Sequence, residues 1–430
     1  MEEEITLKDK KLLEKEEEIQ KIKRELSQIR EGSSTNKEQI PKQDKPTSPK
    51  ETKAENMNDE KKEPSTPGSS EYSTFILNML HSFGLQKTFS GHKKCVESID
   101  YSIFDEGRFL CSGSSDKTVR IWDTNTAKQL KIFDGHSASV YCVKFSPYHY
   151  HNYHQKVIGF ASGDKTICLW DFETTKVQAL NGHDRAVRCI QFSPFNGGQY
   201  LCSGSDDNTI CLWDTATHKS LNVFKAHTLG VWCVEFSPLQ SANNKNVGAG
   251  IIGGTGYTLC SGSADNTIRL WDVETGKESI IFKGNTSTVR SVKYEPYGIG
   301  INGGGNAICS GSDDATVRLW DIRSGQANKI FKGHGSRVTC VEYLPFISSN
   351  ISNIRVAGGN IICSGSVDKS ICFWDIRNDK QLHKINNEIS IFCLQFHPLN
   401  TMNTKKSHKE FTLCYGGGKG RIQFRRLICD

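Results

Sequence analysis

Six stretches of the chain share one short pattern: apolar and polar side chains alternate and close on Trp-Asp. They read TVRIWD, TICLWD, TICLWD, TIRLWD, TVRLWD and SICFWD, with Trp122, Trp170, Trp213, Trp271, Trp320 and Trp374 at spacings of 48, 43, 58, 49 and 54 residues. Upstream lies a second alternating run: VYCVKF, VRCIQF, VWCVEF, VRSVKY, VTCVEY. Alternation with period two marks half-buried strands. A fixed unit of four short strands with loops of variable length accounts for a period that drifts in this way. Further upstream sits Gly-His or its remnant, at 91–92, 135–136, 182–183, 226–227, 284–285 and 333–334. A seventh, worn unit follows, IFCLQF at 391–396 and then FTLCYGGGKGRIQFRRL to 427. The repeats run over about 85–123, 129–171, 176–214, 219–272, 277–321, 326–375 and 380–427.

The Gly-His…Trp-Asp frame resembles that of the WD40 family, and the resemblance covers residues 85–427. It implies an all-β fold, a seven-bladed β-propeller in which each blade is a four-stranded antiparallel sheet around a central channel. It also implies that Leu85 to Phe89 supplies the outermost strand of the last blade, which covers edges that would otherwise aggregate.

The resemblance further implies a hydrogen-bonded set in each blade: His92, Ser112, Asp116, Trp122; His183, Ser203, Asp207, Trp213; His227, Ser261, Asp265, Trp271; His334, Ser364, Asp368, Trp374. Ser, His and Asp together mimic a hydrolase triad. A catalytic set is needed once, whereas a structural clip is needed in every blade. These residues are therefore expected to be buried with partners, the condition for burying them at all. Three units depart from the set. Phe160 stands in the Ser position of the second, Asn285 replaces the His of the fifth, and the seventh has Asn387 and Phe424 in the His and Trp positions. Blades two, five and seven are expected to be locally weaker.

Outside the repeats the pattern changes. Residues 1–31 lack Pro and Gly and place Ile5, Leu12, Ile19 and Leu26 seven apart, a helical, coiled-coil-like segment. Ile22 and Ile29 fill the second seam position while Lys8 and Lys15 interrupt it, so only weak self-association is expected. Residues 32–70 carry almost no large apolar side chain and read as a disordered linker, with Ser48-Pro49 and Thr66-Pro67 as proline-directed phosphorylation patterns. The propeller domain occupies 71–430. The chain opens MEEEITLKDKK without a secretory signal, and Phe75-Ile76-Leu77 is far too short to span a membrane.

Charge and cysteine content narrow the function classes. The net charge of +6 falls short of the strongly basic footprint of a nucleic-acid binder. Residues 71–430 nevertheless hold 39 Lys and Arg against 31 Asp and Glu, enough for a patch. Fourteen of the sixteen cysteines fall at repeat-equivalent strand positions, where a small hydrophobe packs between sheets, and no Cys-x-x-Cys pair marks a zinc site. This usage points to reduced thiols in the cytoplasm or nucleus. His149, His151 and His154 form a candidate metal cluster in an inter-strand loop. No carboxylate or Cys accompanies them, so no metal is assigned, and the glycine runs match no phosphate loop.

Function is then expected where the units differ on a shared surface. In the family, the residue just inside the inner strand lines the central opening: here Glu97, Tyr141, Arg188, Trp232, Arg290, Thr339 and Phe392, with Arg337 nearby. Trp232 is the only Trp outside the Trp-Asp motif. Aromatics and arginines have the composition of an interaction hot spot, and the cations suit an acidic or phosphorylated segment. The expected function is a non-catalytic scaffold that binds a protein or peptide partner, without cofactor, metal or membrane. The alternative is an RNA- or chromatin-associated subunit with a weak nucleic-acid contact, and an enzyme is a more distant third.

Overall fold

The computed structural model divides into two units, residues 1–64 and 65–430. It describes residues 80, 82–238, 258–296, 307–345, 347–348, 355–356, 360–399 and 410–427, all in the second unit. The helical segment at 1–31 and the linker at 32–70 lie outside the described residues.

Seven four-stranded antiparallel sheets follow one another as blades one to seven. Blade three is representative, with strands Val187–Phe192, Tyr200–Ser205, Thr209–Asp214 and Lys219–Lys225 from the channel outward. The alternation in VRCIQF becomes burial: Val187, Ile190 and Phe192 are packed away, while Arg188 and Gln191 are half-buried. The first residue of every inner strand, Val96 in blade one through Ile391 in blade seven, is fully buried between sheets. Sheets approach closely because the second strand carries Gly where it faces the next blade in six of the seven blades, with Ala161 in blade two. A Cβ on Gly204 would lie 2.7 Å from both Cys189 Sγ and Val231 Cγ1.

The Asp of each Trp-Asp ends a strand and shapes the turn that follows. Asp123 Oδ1 accepts from the backbone N–H of Asn125 and Thr126, and Asp375 Oδ1 from those of Arg377 and Asn378. A short carboxylate satisfying the amides of its own turn is the local reason for Asp at this site.

The ring is closed by Gly84–Ser90, which pairs antiparallel with Arg421–Leu427 to become the fourth strand of blade seven. Repeat 85–123 therefore contributes to two blades. The closure covers the outer edge of the last sheet and ties residues more than 330 apart in sequence, Thr88 opposite Gln423.

Pro147–Tyr153, expected as an inter-strand loop, is a helix. Ser146 caps it, Pro147 occupies its first turn, and His154 ends it with φ of 53°.

Candidate functional site: the top face and its channel

Four blades show one hydrogen-bond chain. In blade three, Trp213 Nε1 donates to Ser203 Oγ at 2.8 Å, His183 Nε2 lies 2.7 Å from the same oxygen, and His183 Nδ1 lies 2.8 Å from Asp207. Blades one, four and six repeat it, with Ser112, Ser261 and Ser364 each between an indole and an imidazole at 2.7 or 2.8 Å. Asp116, Asp265 and Asp368 lie 2.8 to 3.2 Å from the other ring nitrogen. Each Asp also accepts from the backbone N–H after the His, as Asp207 does from Asp184. The order Ser–His–Asp is that of a nucleophilic triad, but each of the four Ser residues is 0% exposed. With Oγ held by the indole as well, no substrate carbonyl reaches it.

The divergent blades differ in physical detail. In blade two Phe160 pairs opposite Cys168, as Ser203 pairs opposite Cys211, and its ring stands edge-on to His136 at 5.1 Å. His136 keeps its Asp164 contact, and its buried Nε2 has no partner among the described residues. In blade five neither amide atom of buried Asn285 has a partner among the described residues, and Arg318 reaches Asp314 at 3.2 Å instead. Blade seven corrects the sequence reading. Phe424 pairs opposite Cys414 and is not in the Trp position; Arg425, opposite Leu413 as Trp213 is opposite Leu201, occupies it. Arg425 Nε donates to Tyr415 Oη at 2.9 Å, and Tyr415 Oη donates to Asn387 Oδ1 at 2.8 Å. Blade seven thus has a polar chain of its own, with Lys419 where the other blades carry the turn Asp.

The residues singled out at the opening share a backbone feature. In all seven inner strands the pairing register slips between the first and third residues, so Glu97, Tyr141, Arg188, Trp232, Arg290, Thr339 and Phe392 each sit in a bulge. A bulge re-aims the side chain out of the sheet. All seven are half-buried.

Four of these residues form a stack. The Arg188 guanidinium lies 4.3 Å from the Tyr141 ring centre and 4.2 Å from that of Trp232, and Arg290 covers Trp232 at 3.7 Å. Each guanidinium is gripped by the Asp before the turn Asp of its own blade. Arg188 Nε and Nη2 donate to Asp206 at 2.9 and 2.6 Å, and Arg290 Nε and Nη2 donate to Asp313 at 2.8 and 2.7 Å. Such forked pairs fix orientation as well as charge. Glu97 accepts from Ser115 Oγ; burial raises its carboxyl above the usual range, against that hydrogen bond and the attraction of Arg188 and Arg290. Thr339 is turned back, its Oγ1 donating to Ile391 O at 2.7 Å. Arg337 stands apart, exposed on the loop into blade six. The stacked arginines are therefore already charge-compensated.

A deeper ring went unread in the sequence. The fifth residue of the inner strands is Asp100, Lys144, Gln191, Glu235, Lys293, Glu342 and Gln395 in turn, polar in every blade. Lys144 Nζ lies 3.1 Å from Asp100, while Lys293 Nζ lies 3.3 Å from Glu235 and 3.5 Å from Glu342. Gln395 Nε2 donates to Asp100 at 3.3 Å. The signal was present as the fifth letter of VYCVKF, VWCVEF and VRSVKY, but polar letters in an alternating strand read as solvent-facing.

The three loop histidines do not converge. His149 Nδ1 lies 2.7 Å from Ser146 Oγ, and burial holds its imidazole down at about 4, while His151 and His154 are exposed. Among the described residues no cluster of three His, Cys, Asp or Glu is arranged to hold a metal, and no helix is long and apolar enough to cross a membrane.

Seven repeated sheets, clips sealed inside them and a non-repeated ring at the channel mouth define a β-propeller of the repeat-scaffold class. The chain belongs to the WD40 family: the WD domain, G-beta repeat model matches residues 83–123, 127–171, 174–214, 218–272, 276–321 and 325–375. WD40 propellers are generally non-catalytic protein-interaction scaffolds. The chain is 25% identical over 220 residues to the nuclear distribution protein nudF of Aspergillus niger, covering 50% of this chain and 48% of that one. It is 37% identical over 99 residues to the WD repeat protein iqw1 of Schizosaccharomyces pombe, covering 23% of this chain and 12% of that one. The chain thus spans about half or less of the length of these relatives.

Proposed function

We propose that the protein is a non-catalytic platform whose top face holds a protein or peptide partner at the channel mouth, within a multiprotein assembly inside the cell. The observation that carries this reading is Trp232. It is the only Trp the repeat frame does not require, and its half-exposed ring is packed against two guanidiniums that Asp206 and Asp313 hold in place. A large aromatic immobilised before binding loses little freedom on contact, which is the property of an interface anchor. The four buried Ser–His–Asp sets serve as internal fasteners, which leaves no exposed nucleophile among them. Residues 1–31 would add weak self-association.

The test replaces Trp232 and Arg290 together with Ala in the full chain. Recovered partners should be lost from an affinity pull-down while the thermal melt shows an intact propeller. Unchanged recovery would overturn the reading.

A further inference from the structure

The turn between the second and third strands presents one residue per blade on the top face in the left-handed region. In blades three and four it is Asn208 and Asn266, with φ of 72° and 68°. In blades one, two and six it is Lys117, Lys165 and Lys369, with φ of 74°, 75° and 69°. Asn enters this region readily, whereas a Lys there carries a backbone cost that Asn largely avoids. Blade seven adds Lys419, with φ of 64°, where other blades hold the turn Asp. All four lysines are exposed, and among the described residues none of their ammonium groups makes a hydrogen bond or an ion pair, the backbone N–H groups of Lys117, Lys165 and Lys369 serving only to close their own turns. Since blade seven closes onto blade one, they form one continuous arc over blades six, seven, one and two.

The loops beside this arc reinforce its sign. Arg337, Lys93 and Lys94 are exposed between the turns. The carboxylates beside the arc are Asp116, Asp164 and Asp368, each one residue before a lysine but turned inward onto its blade's His, together with Glu388, 3.7 Å from Arg421, and exposed Asp134. Across the mouth the balance is different: Asp206 and Asp313 neutralise Arg188 and Arg290, so the stack contributes shape there and little charge. Unfavourable backbone placement with no internal partner for the ammonium in return marks a side chain held for something outside the molecule.

We propose that this lysine arc binds an extended polyanionic segment of the protein partner, rich in carboxylates or phosphates. The inference rests on the top face being the partner surface, and it assigns the charge reading to the arc and not to the mouth arginines. Single-stranded nucleic acid is the other polyanion, but it requires free aromatic faces for bases to stack on. Here Arg188 lies against both Tyr141 and Trp232, and Arg290 lies against Trp232.

The test uses the full chain and three fluorescent probes: an octa-glutamate peptide, a doubly phosphorylated Ser/Thr peptide with its unphosphorylated form, and a random-sequence RNA of matched length. The variant is Lys117→Asn/Lys165→Asn/Lys369→Asn/Lys419→Asn, in which Asn suits the left-handed turn, so its melting temperature should be unchanged or higher. We expect one or both anionic peptides to bind, to weaken on raising the salt, and to bind about tenfold or more weakly to the variant. Which peptide binds better decides between carboxylate and phosphate as the source. Absence of binding by either anionic peptide, equal affinity for the variant, or tighter binding of the RNA would each overturn the proposal. The Trp232/Arg290 pull-down reports separately on whether the face is used at all.

Discussion

Arg425 Nε donates to Tyr415 Oη at 2.9 Å, with the arginine in the strand position that Trp holds in the other six blades. Its Nη1 also donates to Phe83 O at 3.2 Å, just ahead of the closing strand. One side chain thus links the blade's own polar chain to the segment that closes the ring. Arg425→Leu would leave Tyr415, Asn387 and the Phe83 carbonyl each short of a donor. A loss of about 2–4 kcal/mol in chemical denaturation is expected, with earlier proteolysis near Gly84. Tyr415→Phe should cost about 1 kcal/mol, since Arg425 still reaches Asn387.

With this polar chain in place we expect blade seven to hold better than the loss of its Trp suggests, and blades two and five to be the weaker ones. An orphaned imidazole nitrogen in blade two and an orphaned amide in blade five each forfeit about 1–3 kcal/mol of local stability. Amide exchange should be fastest, among second strands, in Val157–Ser162 and Ala307–Ser312. Restoring the serine will not repair blade two. Phe160 packs on Phe133, 5.1 Å away, and Phe160→Ser leaves a cavity worth about 3–5 kcal/mol, more than the recovered hydrogen bond. The variant should melt below wild type.

Much of this architecture was legible because the repeat writes the same physics seven times. Alternation such as VRCIQF names the buried face directly, and the Trp-Asp ends fix strand registers. What stayed hidden depends on register or on partners across the channel. Phe424 seemed to take the Trp position because both are aromatic, whereas pairing places Arg425 there. The compensation of Arg188 by Asp206, 18 residues away, needs the bulge and the turn to face each other. The helix at Pro147–Tyr153 was missed although Ser146-Pro147 is a helix-start signal, because the surrounding position is filler in the other repeats.

Two kinds of His–Asp clip should respond to pH in opposite directions. In blade three burial disfavours the charged imidazole, but the Asp207 hydrogen bond and the neighbouring Cys211 outweigh it, and His183 is raised to about 9. A raised imidazole stabilises below its unfolded value of 6.5, and that contribution is lost as pH climbs through 9. In blades one and six burial prevails over Asp116 and Asp368, helped by the charges of Arg120 and Lys384, and both His92 and His334 are lowered. Their contribution is complete above 6.5 and is lost as pH falls. Exchange of amides in Tyr200–Ser205 should accelerate from pH 7 to 9, and those in Phe109–Ser114 and Ile361–Ser366 from pH 7 to 5, each after correction for intrinsic rates. The same direction in all three blades would refute the distinction.

Lys293 is the keystone of the deeper ring, since one ammonium lies between the carboxylates of Glu235 and Glu342. Burial raises the Glu235 carboxyl even with that cation present. Lys293→Met keeps an unbranched side chain, one atom shorter, and removes its charge, leaving two carboxylates facing one another. Removing one partner of a buried pair costs about 3–5 kcal/mol. The side chains of Lys293, Glu235 and Glu342 remain 25%, 18% and 24% exposed, so solvent screening brings the expected loss to about 2 kcal/mol. With the cation gone Glu235 should rise further. A carboxyl raised above its unfolded value favours the fold at low pH and disfavours it as pH rises through the folded value. The variant should therefore recover part of its deficit, relative to wild type, between pH 7 and 5. Adding Glu235→Gln and Glu342→Gln should restore stability at pH 7 and abolish that pH dependence. A triple variant no more stable than Lys293→Met would show that the ammonium's packing, and not its charge, holds the channel wall.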